Sequence, residues 1–176
     1  MKNIVLIGMS GVGKTAKGKY MARVMDRDFV DTDAAIVKRE LLSIDDIFHK
    51  YGEDYFRDIE EEIIRDISSL DDRVISTGGG IVLRETNIQN LKQNGFIVYF
   101  KADVATITAN LKNSKTIRPL LNKGENLYIA VHNLYKARED LYESYSDLVV
   151  DVENKSQEQI YNQVLKAYNE FITCSK

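Results

Sequence analysis

The sequence predicts an α/β fold, a five-stranded parallel sheet flanked by helices. Three observations predict it. Short apolar runs alternate with longer amphipathic stretches, the order expected of β-α-β units. The first such run, Asn3–Ile7, leads straight into a glycine-rich turn and then a segment of helical period. The length of 176 residues, with 44% hydrophobic and 29% charged residues, suits a single domain over 1–176 with a buried core and a solvated surface.

The elements follow in order. Asn3–Ile7 reads as the first strand and Gly13–Met25 as the helix behind it. Asp28–Asp31 is a short strand. Asp33–Glu40, Ser43–Tyr51 and Glu53–Ser69 read as successive helices, and Ser43 with Asp46 three residues on resembles a capping signal. Arg73–Ser76 is a strand that ends at Gly78-Gly79-Gly80. Ile88–Asn94 is helical, Phe96–Phe100 a strand and Val104–Asn113 a helix. Ser114–Gly124 is irregular, holds the single proline, Pro119, and is expected to be a mobile lid. Leu127–Tyr142 reads as a helix, Asp147–Asp151 as the fifth strand and Gln157–Phe171 as a closing helix.

Composition excludes several classes. The net charge of −3 leaves no basic excess to neutralise a phosphate backbone, so no nucleic-acid partner is expected. Cys174 is the single cysteine, which excludes an internal disulfide, and no Cys/His cluster suggests zinc. A reducing compartment, the cytoplasm, is the expectation. The apolar run at the N-terminus is too short for a signal peptide or a membrane span, so no membrane partner is expected either.

Gly8-Met9-Ser10-Gly11-Val12-Gly13-Lys14-Thr15 fits G-x-x-x-x-G-K-[ST] without mismatch. Glycines in such a loop let successive N–H groups point inward at phosphates. The helix that follows presents its positive N-terminal end to the same anions. Lys14 reaches the β- and γ-phosphates, and Thr15 offers a hydroxyl to Mg²⁺. Gly11, Val12, Gly13, Lys14, Thr15 and Ala16 are therefore the expected ATP cradle, and the fold a P-loop kinase fold. Ala16 stands where many such loops carry a second hydroxyl, so one polar contact to the α-phosphate is missing. A chain this short leaves room for the core, a lid and a small acceptor site, the economy of a small-molecule kinase.

Candidates for the acceptor side each have an ordinary reading too. Asp31-Thr32-Asp33 closes the second strand, where ligands bind in open α/β sheets. Two residues apart on extended chain, the carboxylates of Asp31 and Asp33 would point the same way. Asp33 could equally be a helix N-cap. Arg57 could be a surface partner of Glu60 three residues on. Gly78–Gly80 could be a flexible turn, Arg118 a solvated loop cation and Arg138 helix-surface charge.

Together these segments resemble the shikimate kinase family from end to end. The match runs through Gly8–Thr15, Asp31–Asp33, Ser43-Ile44-x-Asp46-Ile47-Phe48 and Gly52-Glu53-x-x-Phe56-Arg57-x-x-Glu60. It continues through Gly78–Gly80, Arg118-Pro119-Leu120-Leu121 and Arg138-x-x-Leu141-Tyr142. The resemblance implies that ATP and shikimate give ADP and shikimate 3-phosphate, in aromatic amino-acid biosynthesis, with a substrate-binding helical region at about 33–62. It implies that Asp33 engages the shikimate hydroxyls as base or orienter. Arg57 and Arg138 would clamp the carboxylate, with Gly78, Gly79 and Gly80 beside the substrate and a Gly79 N–H donated to it. Arg118 would close on the ATP phosphates from the lid at about 114–124. Asp31 would support Mg²⁺ alongside Thr15, and Lys155 matches a basic position near the adenine. A monomer is the expected assembly. Besides Ala16, Asp140 departs from the family, replacing a proline; facing the site, it would weaken substrate affinity. A gluconate-type sugar-acid kinase and a catalytically silent nucleotide-binding module are the rival readings.

Overall fold

β1 (Asn3–Ile7) lies at the centre of the sheet because Ile4 to Ile7 are apolar and fully buried. Successive strand side chains point to opposite faces, so burial of consecutive residues means that both faces are covered. Asn3 is buried at the edge of this run and is satisfied by both its amide groups. Its Nδ2 donates to the Leu70 carbonyl at 2.6 Å, and its Oδ1 accepts the Arg73 N–H at 2.9 Å. That pair of bonds ties the start of β1 to the start of β3. The structure is a computed structural model that describes residues 1–114 and 126–174. Arg118 and the rest of the expected lid after Ser114 lie outside the described residues.

The other strands are β2 (Asp28–Asp31), β3 (Arg73–Ser76), β4 (Gly95–Lys101) and β5 (Leu148–Asp151). All pairings are parallel, in the order β2-β3-β1-β4-β5. The chain fills one side of β1 and then crosses to the other, so the order reverses at β1. Ligands of open α/β sheets collect outside the carboxyl ends of the strands at such a reversal. Register fixes what meets there: Ser76 is level with Asp31 on one side and Leu6 on the other. The turns after β1, β2 and β3 therefore emerge side by side.

Helix α1 (Lys14–Met25) follows β1, and α2 (Thr32–Glu40) follows β2. α2 begins one residue earlier than its sequence pattern suggests, because Asp31 and not Asp33 is its N-cap; the Asp31 carboxylate accepts the Ala34 N–H at 3.2 Å. The two helices expected over 43–69 form one span, α3 (Ile44–Ser68), broken at Gly52. Gly52 has φ 85° and ψ 175°, a backbone region open in practice only to glycine. Ser43 caps α3 as expected, accepting the Asp46 N–H at 3.1 Å. A 3-10 turn (Ile81–Leu83) leads to α4 (Glu85–Gln93), then come α5 (Val104–Lys112), α6 (Leu127–Tyr145) and α7 (Gln157–Cys174). α1 packs on α7, α3 on α4 and α5 on α6. Among the described residues no helix is long and apolar enough to cross a membrane.

Candidate active site

The turn between β1 and α1 is shaped by left-handed glycines: Gly11 has φ 94° and Gly13 φ 85°. Gly13 is the N-cap of α1 and gives it no side-chain cap, whereas Asp31, Ser43, Asp103 and Asn126 each cap their own helices. The first N–H groups of α1 are thus left to an anion. Lys14 is buried, and its Nζ donates to the carbonyls of Gly8 at 2.7 Å and Met9 at 2.9 Å. These bonds hold the ammonium at the loop itself. Val12 is buried in the core and anchors the turn, while Thr15 and Ala16 are exposed at the start of the helix.

Packing of α1 against β2 and β3 brings Thr15 to the end of β2. The Thr15 hydroxyl donates to Asp31 Oδ2 at 2.8 Å and lies 3.5 Å from the Ser76 hydroxyl. These are hard oxygen donors, one of them a carboxylate, beside a phosphate-binding turn, which is the donor set that suits Mg²⁺. Asp31 and Asp33 do not point the same way, contrary to the expectation for an extended chain. The chain turns helical at Thr32, which sends Asp31 to Thr15 and Asp33 into a separate cavity.

That cavity has a volume of about 840 Å³ and runs from Ser10 of the phosphate turn to α2, α3 and α6. Asp33, Arg57, Glu60, Gly78–Gly80 and Arg138 all line it. Arg57 and Arg138 are only 6% and 7% exposed, so the surface-charge readings of both fail. Arg57 Nη1 donates to Glu60 Oε2 at 2.8 Å, and its Nε and Nη2 reach Glu53 Oε1 at 3.3 and 3.0 Å. Arg138 Nη1 donates to the Gly79 carbonyl at 3.2 Å, and the Tyr142 hydroxyl donates to the same oxygen. The Gly78 N–H is held by the Thr32 hydroxyl at 3.1 Å. The glycine triplet is therefore a fixed wall and not a flexible turn. A Cβ on Gly78 would come within 2.6 Å of Asp33 Oδ1, and one on Gly80 within 2.7 Å of Arg57 Cζ. Both functional groups press against glycine backbone.

Glu60 is 1% exposed, so its carboxylate is a charge buried within the site. Burial pushes its carboxyl above the usual range, the Arg57 guanidinium opposes that, and Asp33 adds repulsion. Burial prevails because Oε1 has no hydrogen-bond partner among the described residues. The sequence reading gave Glu60 no role beyond a surface pair. Its position three or four residues from Phe56, Ile63 and Ile64 puts it on the buried stripe of α3, a signal that was available. Thr32 and Tyr142, which hold the glycine wall, lie inside the segments that carry the family resemblance, but the sequence assigns neither of them a role there.

The remaining expected residues lie elsewhere. Lys155 is exposed after β5, where its Nζ donates to the Asp151 carbonyl at 2.7 Å, and it does not line the cavity. Asp140 is exposed on α6 and does not line the cavity either, so its replacement of a proline adds no carboxylate there.

Comparison with known proteins bears on the same residues. The family model for shikimate kinase matches residues 10–169. The shikimate kinase of Thermodesulfovibrio yellowstonii is 44% identical over 171 residues, covering 96% of this chain and 95% of its own. A shikimate kinase from Acinetobacter baumannii, solved in complex with shikimate, superposes with a TM-score of 0.91 at 30% identity, covering 97% of this chain and 94% of the other. A gluconokinase from Sinorhizobium meliloti superposes with a TM-score of 0.63 at 16% identity, covering 97% and 93%, and shares the fold alone. With the phosphate turn from Ser10 on, the two arginines and the glycine wall all inside the matched span, the chain belongs to the shikimate kinase family.

Proposed function

We propose that this chain transfers the γ-phosphoryl group of ATP to a hydroxyl of shikimate, giving ADP and shikimate 3-phosphate. The observation that carries the reading is one cavity in which two buried arginines face a carboxylate, Asp33, beside the phosphate turn. Two guanidiniums suit a planar carboxylate, because charge-assisted bidentate bonds fix its orientation. Asp33 then meets the hydroxyl end of the same acceptor and orients it or takes its proton. Gly11–Ala16 bind the ATP phosphates through backbone N–H groups, and Lys14 adds a positive charge that offsets the charge on the transferring group. The backbone supplies the α-phosphate contacts at Ala16, which has no hydroxyl.

Thr15 and Asp31 would hold Mg²⁺, and a bound Mg²⁺ would neutralise charge on the β- and γ-phosphates. Arg118, on the strength of the family resemblance, acts on the same phosphates from the lid, and Lys155 sits near the adenine. The reading includes a monomer of one domain in the cytoplasm, with shikimate and ATP as its partners. Catalysis of this kind rests on positioning and on exclusion of competing water.

The test is ADP release in the presence of ATP and Mg²⁺, with shikimate or gluconate as acceptor. Shikimate is expected to drive turnover and gluconate to give background. Turnover with gluconate alone would transfer the chain to the sugar-acid kinases, and ATP binding without turnover on either acceptor would make it a silent module.

A further inference from the structure

The guanidinium of Arg57 has five N–H donors in a rigid fork. Three are engaged among the described residues. Glu53 Oε1 takes Nε and Nη2 together, at 3.3 and 3.0 Å, and Glu60 Oε2 takes one hydrogen of Nη1 at 2.8 Å. Each terminal nitrogen then keeps one hydrogen not taken by Glu53 or Glu60, and guanidinium donors of this kind suit the oxygens of a carboxylate. Arg57 lines the cavity but Glu53 does not, so Glu53 reaches the guanidinium from outside the substrate space. Gly80 backbone lies against the guanidinium, and the Phe56 ring sits 5.1 Å from Cζ.

We infer that Glu53 is a positioning residue for the acceptor carboxylate: by holding the Nε–Nη2 edge of Arg57 from outside the cavity, it fixes the orientation in which the guanidinium lines that cavity. The inference rests on the reading of Arg57 as part of the carboxylate clamp. Glu53 is placed for the task by the break at Gly52, being the first residue of the second half of α3. One helical turn separates it from Arg57, with the acid on the N-terminal side, the favourable order for such a pair. The alternative role, a carboxylate that competes with substrate for Arg57, requires Glu53 to stand in the cavity, and it does not.

The experiment compares wild type, Arg57→Ala, Glu53→Ala and Glu53→Gln with two acceptors: shikimate, and its analogue with the carboxylate reduced to a primary alcohol. Glu53→Ala is expected to raise KM for shikimate about 5- to 10-fold, with kcat and KM for ATP within about twofold of wild type. Glu53→Gln, which keeps an oxygen acceptor, raises it less. With the alcohol analogue the Glu53→Ala effect disappears, because no carboxylate is there to be oriented. A shikimate KM in Glu53→Ala that is unchanged or lower, or an equal loss with both acceptors, would overturn the inference. If Arg57→Ala raises KM for shikimate while Glu53→Ala does not, the inference alone fails. If wild type shows no turnover with shikimate, the proposed function falls and the inference with it.

Discussion

Gly80 shows how a missing side chain can locate a charged one. Its φ of −96° is open to any residue, so alanine there imposes no backbone strain. The added Cβ would strike Arg57, which is braced by two carboxylates and has nowhere near to retreat. Gly80→Ala is therefore expected to cost about 1–3 kcal/mol of stability as the braced guanidinium is displaced, and to raise KM for shikimate about 10- to 100-fold, the worth of one charged hydrogen-bond pair. Steady-state kinetics beside a thermal melt check both halves. At this scale the sequence was readable in part. Arg57, Arg138 and Gly78–Gly80 each fit an ordinary surface or turn reading, and only their order along the chain pointed to one site. Asp33 was ambiguous because any Asp before a helix is a good cap. The structure resolves that by using Asp31 as the cap, which leaves Asp33 to line the cavity.

α3 divides labour between its halves. Ile44 and Phe48 of the first half line the cavity, while the second half carries Arg57 and Glu60. Gly52 sets the angle between them. A Cβ there would meet nothing within 4 Å, so any penalty for a substitution is purely conformational. Gly52→Ala is expected to cost about 1–3 kcal/mol, a fall in Tm of about 2–10 °C, and to raise KM for shikimate as the two halves realign. A melt equal to wild type would show that the break is not held by glycine. The sequence showed both halves, since the pattern resets at Gly52, but not that they remain one broken span. Sequence periodicity reports which face is buried and carries no information on the angle across a break. The same limit applies to α2, whose start depended on which of two nearby aspartates captured the Ala34 N–H.

Across the whole molecule, the strand order and the parallel pairing were expected only as a class. The alternation of apolar runs with amphipathic ones implies a parallel sheet, but the order β2-β3-β1-β4-β5 is decided by long-range packing. That order makes the turns after β1, β2 and β3 neighbours, and so builds a phosphate cradle and an acceptor cavity side by side. The buried charges leave a mark on stability. Glu60 has a folded-state pKa above its ordinary 4.5, first because it is buried. An acid shifted upward binds its proton more tightly when folded, so it is least harmful to stability below the ordinary value. Its contribution falls as pH rises from there to the folded value. Glu60→Gln, which cannot ionise, removes that loss, so its Tm relative to wild type should climb as pH is raised from about 4 through that window. A difference that stays flat with pH would show Glu60 to be unperturbed. The central claim is that Asp33, the arginine pair and the phosphate turn act on one acceptor, and it is tested most directly by shikimate-dependent ADP release measured in wild type and Asp33→Asn side by side. Wild type is expected to turn over and the variant to show a kcat at least about 100-fold lower, with ATP affinity nearly unchanged. Wild-type rates in Asp33→Asn, or no shikimate-dependent ADP release from wild type, would contradict it.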